Sequence, residues 1–290
     1  MLSRRQRARS GGRRCAVLGS PIDHSLSPVL HRAAYRELGL DWEYDAVDVT
    51  EDALAGFLGG LGARWRGLSL TMPLKRAVLP LLDEMSETTL AAGAANTVLL
   101  DDRGCRWGHN TDVPGMRQAL QEQGVSAVSS ATVVGGGATA TSAVLALAGM
   151  GLRDVTLRVR EPGRARETVE AAGRLPSAPR IRVVRLDEPL DPPQQVDVVV
   201  STVPASAQAE LAAPLTAQAS VVFDVIYDPW PTPLAQAAVA AGRTVVGGLD
   251  LLVHQATRQV ELMTGLGPSP LEAMRAAGEA ALQRRRTGAD

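Results

Sequence analysis

One stretch, Ala131–Ala148, limits what this chain can fold into more than any other. A short β-branched run (Ala131-Thr132-Val133-Val134) stops at Gly135, Gly136 and Gly137, and a small apolar segment, Thr141–Ala148, follows without a breaker until Gly149. That order reads strand, tight turn, helix. Gly135, Gly137 and Ala140 fill a G-x-G-x-x-[G/A] pattern. In it, glycine lets the backbone turn sharply and approach a ligand, and the helix N-terminus offers free N–H groups to a pyrophosphate. Glycine-rich turns are common, so the meaning of this one rests on its surroundings.

Strand and helix patterns alternate on both sides of the turn. Upstream, Cys15–Gly19, Tyr44–Val49, Gly67–Leu70 and Asn96–Leu100 read as strands, and Val29–Leu38, Asp52–Leu61 and Leu90–Ala95 as helices. Asp101–Gly104 is a hairpin-type turn, and a helix from about Val113 to Gln123 leads to the glycines. Downstream, Val155–Val159, Ile181–Arg185, Val196–Ser201 and Val221–Val225 continue the strands, with Glu188–Pro193 a Pro-rich surface loop. The fold class implied is α/β: an N-terminal α/β domain over residues 15–112, then a Rossmann-type doubly wound parallel sheet over residues 113–248. The helices Leu249–Met263 and Pro268–Arg284 are expected to return to the first domain, which residues 249–290 then complete.

Composition narrows the function class. At 290 residues the chain is long enough for two ordinary domains, and 45% hydrophobic with 21% charged residues is globular. A net charge of −1 argues against a nucleic-acid partner. Cys15 and Cys105 are the only cysteines, so a reducing cytoplasm is expected, and no metal-ligand spacing is present. Arg4, Arg5, Arg7, Arg9, Arg13 and Arg14 precede no apolar core, so residues 1–14 read as a disordered basic tail and not a secretory signal. Gly124–Leu152 is uncharged, but its glycines, serines and threonines favour strand, turn and helix over a membrane span. No internal repeat is seen.

Some polar residues sit where a structural role alone is sufficient. Ser27-Pro28 opens a helix, and Ser27 is a natural N-cap, which leaves Ser25 without an explanation. Lys75, in Thr71-Met72-Pro73-Leu74-Lys75 just past a strand, reads as a solvated charge unless a carboxylate meets it. Asp112 reads equally as the cap of the helix it precedes.

Taken together, these motifs resemble the shikimate dehydrogenase family from about Cys15 to Ala281. The matching pieces, in order, are His24-Ser25-Leu26-Ser27-Pro28, Leu70–Lys75, Gly93-Ala94-Ala95-Asn96-Thr97, Asn110-Thr111-Asp112, the glycine turn, Tyr227-Asp228-Pro229 with Thr232-Pro233-Leu234, and Gly248-Leu249 leading to Gln255-Ala256. The resemblance implies reversible NADPH-dependent reduction of 3-dehydroshikimate to shikimate, a step of aromatic amino-acid (chorismate) biosynthesis. Ser25 and Ser27 then match carboxylate-binding serines, and Thr71, Asn96, Asp112 and Gln255 match readers of the ring hydroxyls, with Tyr227 nearby. Lys75 and Asp112 match the catalytic pair. The chemistry agrees, since hydride addition to a ketone leaves an alkoxide that needs a proton and nearby positive charge.

For the cofactor, Gly135, Gly136, Gly137, Ala138 and Thr139 match the pyrophosphate turn, Val159, Arg160 and Arg164 the adenosine-ribose segment, and Val225 and Gly248 further contacts. Arginines after the second strand favour NADP, with Arg158 adding to them, whereas Glu161 stands where relatives carry a small polar residue. Other departures are Ala138 for a glycine, Ser69 for asparagine, Asp250-Leu251 for Gly-Met, and Ser201–Pro204 for an Asn-Ala-Thr loop. The expected partner is a small-molecule substrate, with neither nucleic acid nor membrane, and the protein is a monomer or homodimer. The alternatives are a quinate/shikimate dehydrogenase using NAD, and a ligand-sensing relative without catalysis.

Overall fold

The computed structural model describes residues 12–189 and 194–288. The basic run before Gly12 and most of the expected Glu188–Pro193 loop therefore lie outside the described residues. The chain divides into two compact units. One runs to Thr111 and resumes at Leu252, and the other is Asp112–Leu251.

In the first unit, β1 (Arg14–Gly19), α1 (Ser27–Leu38), β2 (Glu43–Asp48), α2 (Glu51–Gly59) and β3 (Trp65–Leu70) form a parallel start. The short α3 (Leu74–Ala77), β4 (Glu84–Met85), α4 (Glu87–Ala92), β5 (Thr97–Leu100) and β6 (Arg106–His109) follow. The sheet order is β2-β1-β3-β5-β6-β4, with β5 antiparallel to both neighbours. Strand β1 opens at Arg14, and Arg13 donates to the Ala63 carbonyl at 2.8 Å, so the basic tail does not extend to residue 14 as expected. Backbone pairing to Glu43 and Trp65 recruits Arg14 into the sheet. Gly39 ends α1 at φ 64°, a left-handed cap that suits glycine. The core gathers Ala16, Leu18, Leu54, Leu68, Leu70, Leu74 and Val98.

The second unit contains α5 (Asp112–Glu122), β7 (Ser130–Val134), α6 (Ala138–Ala148), β8 (Asp154–Val159), α7 (Arg166–Gly173), β9 (Arg180–Arg185), β10 (Val196–Ser201), α8 (Ala212–Gln218), β11 (Ala219–Asp224), α9 (Pro233–Ala240) and β12 (Thr244–Val246). Its sheet is wholly parallel in the order β12-β11-β10-β7-β8-β9. Counted within the unit, this is the doubly wound Rossmann order, whose ligand crevice lies at the carboxyl ends of the first and fourth strands, here β7 and β10. Both faces are covered, and successive residues serve opposite cores. Val133, Val198 and Val200 face one cluster, while Val134, Val199 and Val222 face the other. That explains strands that are continuously apolar instead of alternating.

Helix α10 (Gly248–Thr264) begins the return to the first unit and α11 (Leu271–Thr287) completes it, packing against α1. A β-carbon on Gly67 would lie 2.6 Å from Met263 Cγ, so the glycine in β3 lets α10 approach the sheet. Among the described residues no helix is long and apolar enough to cross a membrane.

Candidate active site

In the first unit the polar residues gather at strand ends because β1 and β3 are parallel neighbours and finish together. The Thr71 N–H donates to the Leu18 carbonyl at 2.9 Å and Ser20 N–H to Met72 O at 3.1 Å, which ties the serine loop to the Thr71–Lys75 segment. A β-carbon on Gly19 would run into the Thr71 methyl, so this join requires glycine. Next along, Leu70 N–H donates to Asn96 O and Ala95 N–H to Lys75 O, both at 2.8 Å. Thr71, Lys75 and Asn96 are thus fixed to one another through the backbone.

Asn96 is 2% exposed, and its amide is held from several sides. Its Oδ1 accepts from Thr111 N–H at 2.8 Å and Thr97 Oγ1 at 2.9 Å, and its Nδ2 donates to Thr111 Oγ1 at 2.9 Å and Gln255 Oε1 at 3.3 Å. Gln255 reaches this cluster from α10 and anchors its own nitrogen on the Leu252 carbonyl at 2.9 Å. Asp112 is the residue after Thr111, buried, and opens α5.

The serines differ from expectation. Helix α1 starts at Ser27 with Leu26 as its cap and no side-chain capping bond. It is Ser25 whose Oγ accepts the Ser27 N–H, at 3.3 Å. Ser27 is buried. From the far end of α11, Arg285 donates to the His24 carbonyl at 2.9 Å, bracing the same loop.

Behind these residues lies a buried polar layer that motif reading did not find. Tyr44 donates to Ser69 Oγ at 2.6 Å, Ser69 to Gln259 Oε1 at 2.7 Å, and Gln259 Nε2 to Asn96 O at 3.1 Å and Thr97 Oγ1 at 2.9 Å. His31 stacks on Tyr44 with centroids 3.9 Å apart and meets Gln259 Oε1 at 3.2 Å. Burial pushes the His31 pKa down to about 3, so the ring is neutral. The one sequence signal was that Gln255 and Gln259 stand four apart, on one face of a helix.

The second unit carries the expected cofactor turn. Gly135 has φ 116°, and a β-carbon there would strike Thr202 Oγ1, which itself donates to Val134 O at 2.9 Å. A β-carbon on Gly136 would lie 2.5 Å from the Arg164 carbonyl oxygen. On Gly137 it would meet nothing within 4 Å. Glycine is therefore demanded by the protein at the first two positions, while the third leaves an open approach to the α6 N-terminus, with Ala138 and Thr139 in its first turn. That open cradle, beside uncapped helix N–H groups, fits a pyrophosphate.

Arg160, Glu161 and Arg164 are exposed after β8, with Val159 buried beneath them. Arg158 departs from expectation: it is 6% exposed and donates to the Leu186 and Glu188 carbonyls at 2.8 and 2.6 Å. Strand alternation turns it inward, so it stays with the backbone and not with a cofactor phosphate. Gly248 packs where a β-carbon would collide with Val225 O, bringing those two predicted residues together, and Tyr227 follows two positions on, half-buried. Asp250 accepts the Gly247 N–H at 3.0 Å, the reach-back of a capping box, which accounts for an acid at this helix start. Among the described residues no group of histidines, cysteines or acids is arranged to hold a metal.

Comparison with known proteins identifies the relatives of this chain. Residues 17–98 match the shikimate dehydrogenase substrate binding domain, and residues 248–277 the shikimate 5'-dehydrogenase C-terminal domain. The chain is 36% identical to the shikimate dehydrogenase (NADP(+)) of Thermus thermophilus over 261 residues, covering 89% of this chain and 94% of that one. The crystal structure of Mycobacterium tuberculosis shikimate dehydrogenase superposes with a TM-score of 0.83 at 41% identity, covering 92% of this chain and 99% of that one. A quinate dehydrogenase from Corynebacterium glutamicum, in complex with NAD, gives 0.82 at 30% identity, with coverage of 93% and 99%. With relatives this similar over nearly their whole length, the chain belongs to the shikimate dehydrogenase family.

Proposed function

We propose that the protein is an NADP-dependent shikimate dehydrogenase, reducing the ring ketone of 3-dehydroshikimate to shikimate and running in reverse with NADP. The observation that carries this reading is that backbone bonds tie the segments of Thr71, Lys75 and Asn96 together, while the Asn96 amide bonds Gln255. Hydroxyl, amide and ammonium side chains on segments fixed in this way suit a small polyhydroxylated ring and discriminate against analogues that lack a hydroxyl. Ser25 and Ser27 are assigned to the substrate carboxylate. Asn96, Thr71 and Gln255 are assigned to the ring hydroxyls, and Tyr227 to the substrate as well.

Bound NADPH supplies the hydride. Lys75 places positive charge at the oxygen that becomes an alkoxide, and together with Asp112 it provides the proton that completes the alcohol. Asp112 also orients the substrate hydroxyl. Gly135, Gly136, Gly137, Ala138 and Thr139 would hold the pyrophosphate, Arg160 and Arg164 the 2′-phosphate, and Val159, Val225 and Gly248 would line the remainder.

Cys15 and Cys105 are free, which supports a reducing compartment, and the cytoplasm is the assigned location. Monomer and homodimer both suit a site built this way. The deciding experiment is absorbance at the reduced-nicotinamide band, with shikimate and quinate each offered NADP and NAD. Shikimate with NADP is expected to give the highest kcat/KM. Preference for quinate with NAD overturns the assignment, and no turnover with any pair favours a ligand-sensing role.

A further inference from the structure

Gln259 has no contact assigned to it in the site, yet it is 1% exposed, and both of its N–H groups and its oxygen are bonded. Its orientation is forced. The Asn96 main-chain carbonyl can only accept, so the Gln259 nitrogen faces it, at 3.1 Å, and the oxygen faces Ser69, at 2.7 Å. The second Gln259 N–H goes to Thr97 Oγ1 at 2.9 Å. Thr97, having accepted, directs its own proton to Asn96 Oδ1, also at 2.9 Å. With Thr111 N–H already on that oxygen at 2.8 Å, the Asn96 oxygen is committed and its amide cannot flip. Asn96 must then present N–H groups on the side of Thr111 and Gln255.

We propose that Gln259, clamped by Ser69 and His31, is a positioning residue that locks the Asn96 amide with its nitrogen on Thr111 Oγ1 and Gln255 Oε1, and so sets the polar groups that the substrate ring meets. The inference rests on the assignment of Asn96 to a ring hydroxyl. The direction of every bond from Ser69 to Asn96 follows from one carbonyl and two hydroxyls, so substrate recognition depends on a layer that never meets the substrate. A flipped Asn96 would offer an oxygen to a hydroxyl and lose its hold on Thr97 and Thr111.

The test is a mutant cycle on shikimate KM. Gln259→Met removes the amide at similar volume, and is expected to raise KM about ten-fold, the worth of one net hydrogen bond, with KM for NADP unchanged. Thr97→Val cuts only the relay hydroxyl and is expected to act in the same direction. It decides the matter if Gln259→Met does not fold. In an Asn96→Ala background neither change is expected to raise KM further, because the amide they orient is gone. A purely structural role lowers Tm equally in both backgrounds and leaves the KM of each single variant at the wild-type value, which overturns the proposal. Equal fold-increases in KM with and without Asn96 also overturn it. Wild-type turnover of shikimate tests the functional reading separately. An active wild type with unaltered variants sinks the relay alone, and an inactive wild type sinks both.

Discussion

Ser25 Oγ accepts the Ser27 backbone N–H at 3.3 Å, so the two serines of the His-Ser-Leu-Ser-Pro motif hold each other and are not two equivalent hydroxyls. Ser27→Ala is expected to raise KM for shikimate with little change in Tm. Ser25→Ala is expected to raise KM and also to loosen the start of α1, at a cost of about 1 kcal/mol or ~2 °C in a chain of this size. Steady-state kinetics and thermal melts of both variants separate the two roles. Wild-type KM in both variants removes the serines from the carboxylate site.

Lys75→Ala is expected to cut kcat by ~10²–10⁴, the range for losing general acid–base assistance, while leaving NADP binding intact. The segment that carries Lys75 is anchored by its own carbonyl to Ala95 N–H, so the truncation changes chemistry and not backbone placement. Near-normal turnover of the purified variant excludes the role.

The arginines after β8 are expected to divide sharply. Arg160 is exposed at the strand end, and Arg160→Ala should raise KM for NADP by roughly ten- to a hundred-fold, the worth of a charge-assisted contact, with KM for NAD little changed. Arg158→Ala should instead lower Tm and leave the NADP-to-NAD ratio alone, because its guanidinium satisfies the Leu186 and Glu188 carbonyls. A cofactor switch in Arg158→Ala, or none in Arg160→Ala, contradicts this division.

His31 gives a pH signature. Its pKa falls from an ordinary 6.5 to about 3 on folding, so the unfolded chain binds this proton first as pH drops. Between those values the unfolded state holds more protons than the folded one, and stability falls with decreasing pH by up to ~1.4 kcal/mol per unit from this group. Above the unfolded value the ring is neutral in both states and contributes no slope. The check is imidazole NMR, where the His31 ring signal should hold still from about pH 8 down to about pH 4.5. Titration near 6.5 would show that the ring is not sealed against Tyr44 and Gln259.

The sequence by itself determined the parts of this protein that depend on local rules. The continuous apolar strands and the helices between them announced a parallel sheet covered on both faces, and Gly135 announced a turn that only glycine makes at φ 116°. The short motifs around Ser25, Thr71, Lys75, Asn96 and Gln255 were legible because each occupies a few adjacent residues at a strand end or on one helix. What tertiary structure decided was everything set by contact between segments distant in sequence. Gly136 matters because the Arg164 carbonyl comes against it, Arg158 turns inward because two carbonyls wait on another strand's loop, and the Ser25 hydroxyl takes up the backbone N–H of Ser27 where α1 begins. Gln259 lies 163 positions from Asn96, and no local pattern encodes which amide hydrogen points where. Periodicity and turn chemistry are properties of neighbouring residues, whereas the direction of a buried hydrogen bond is fixed only by the partners that folding brings to it.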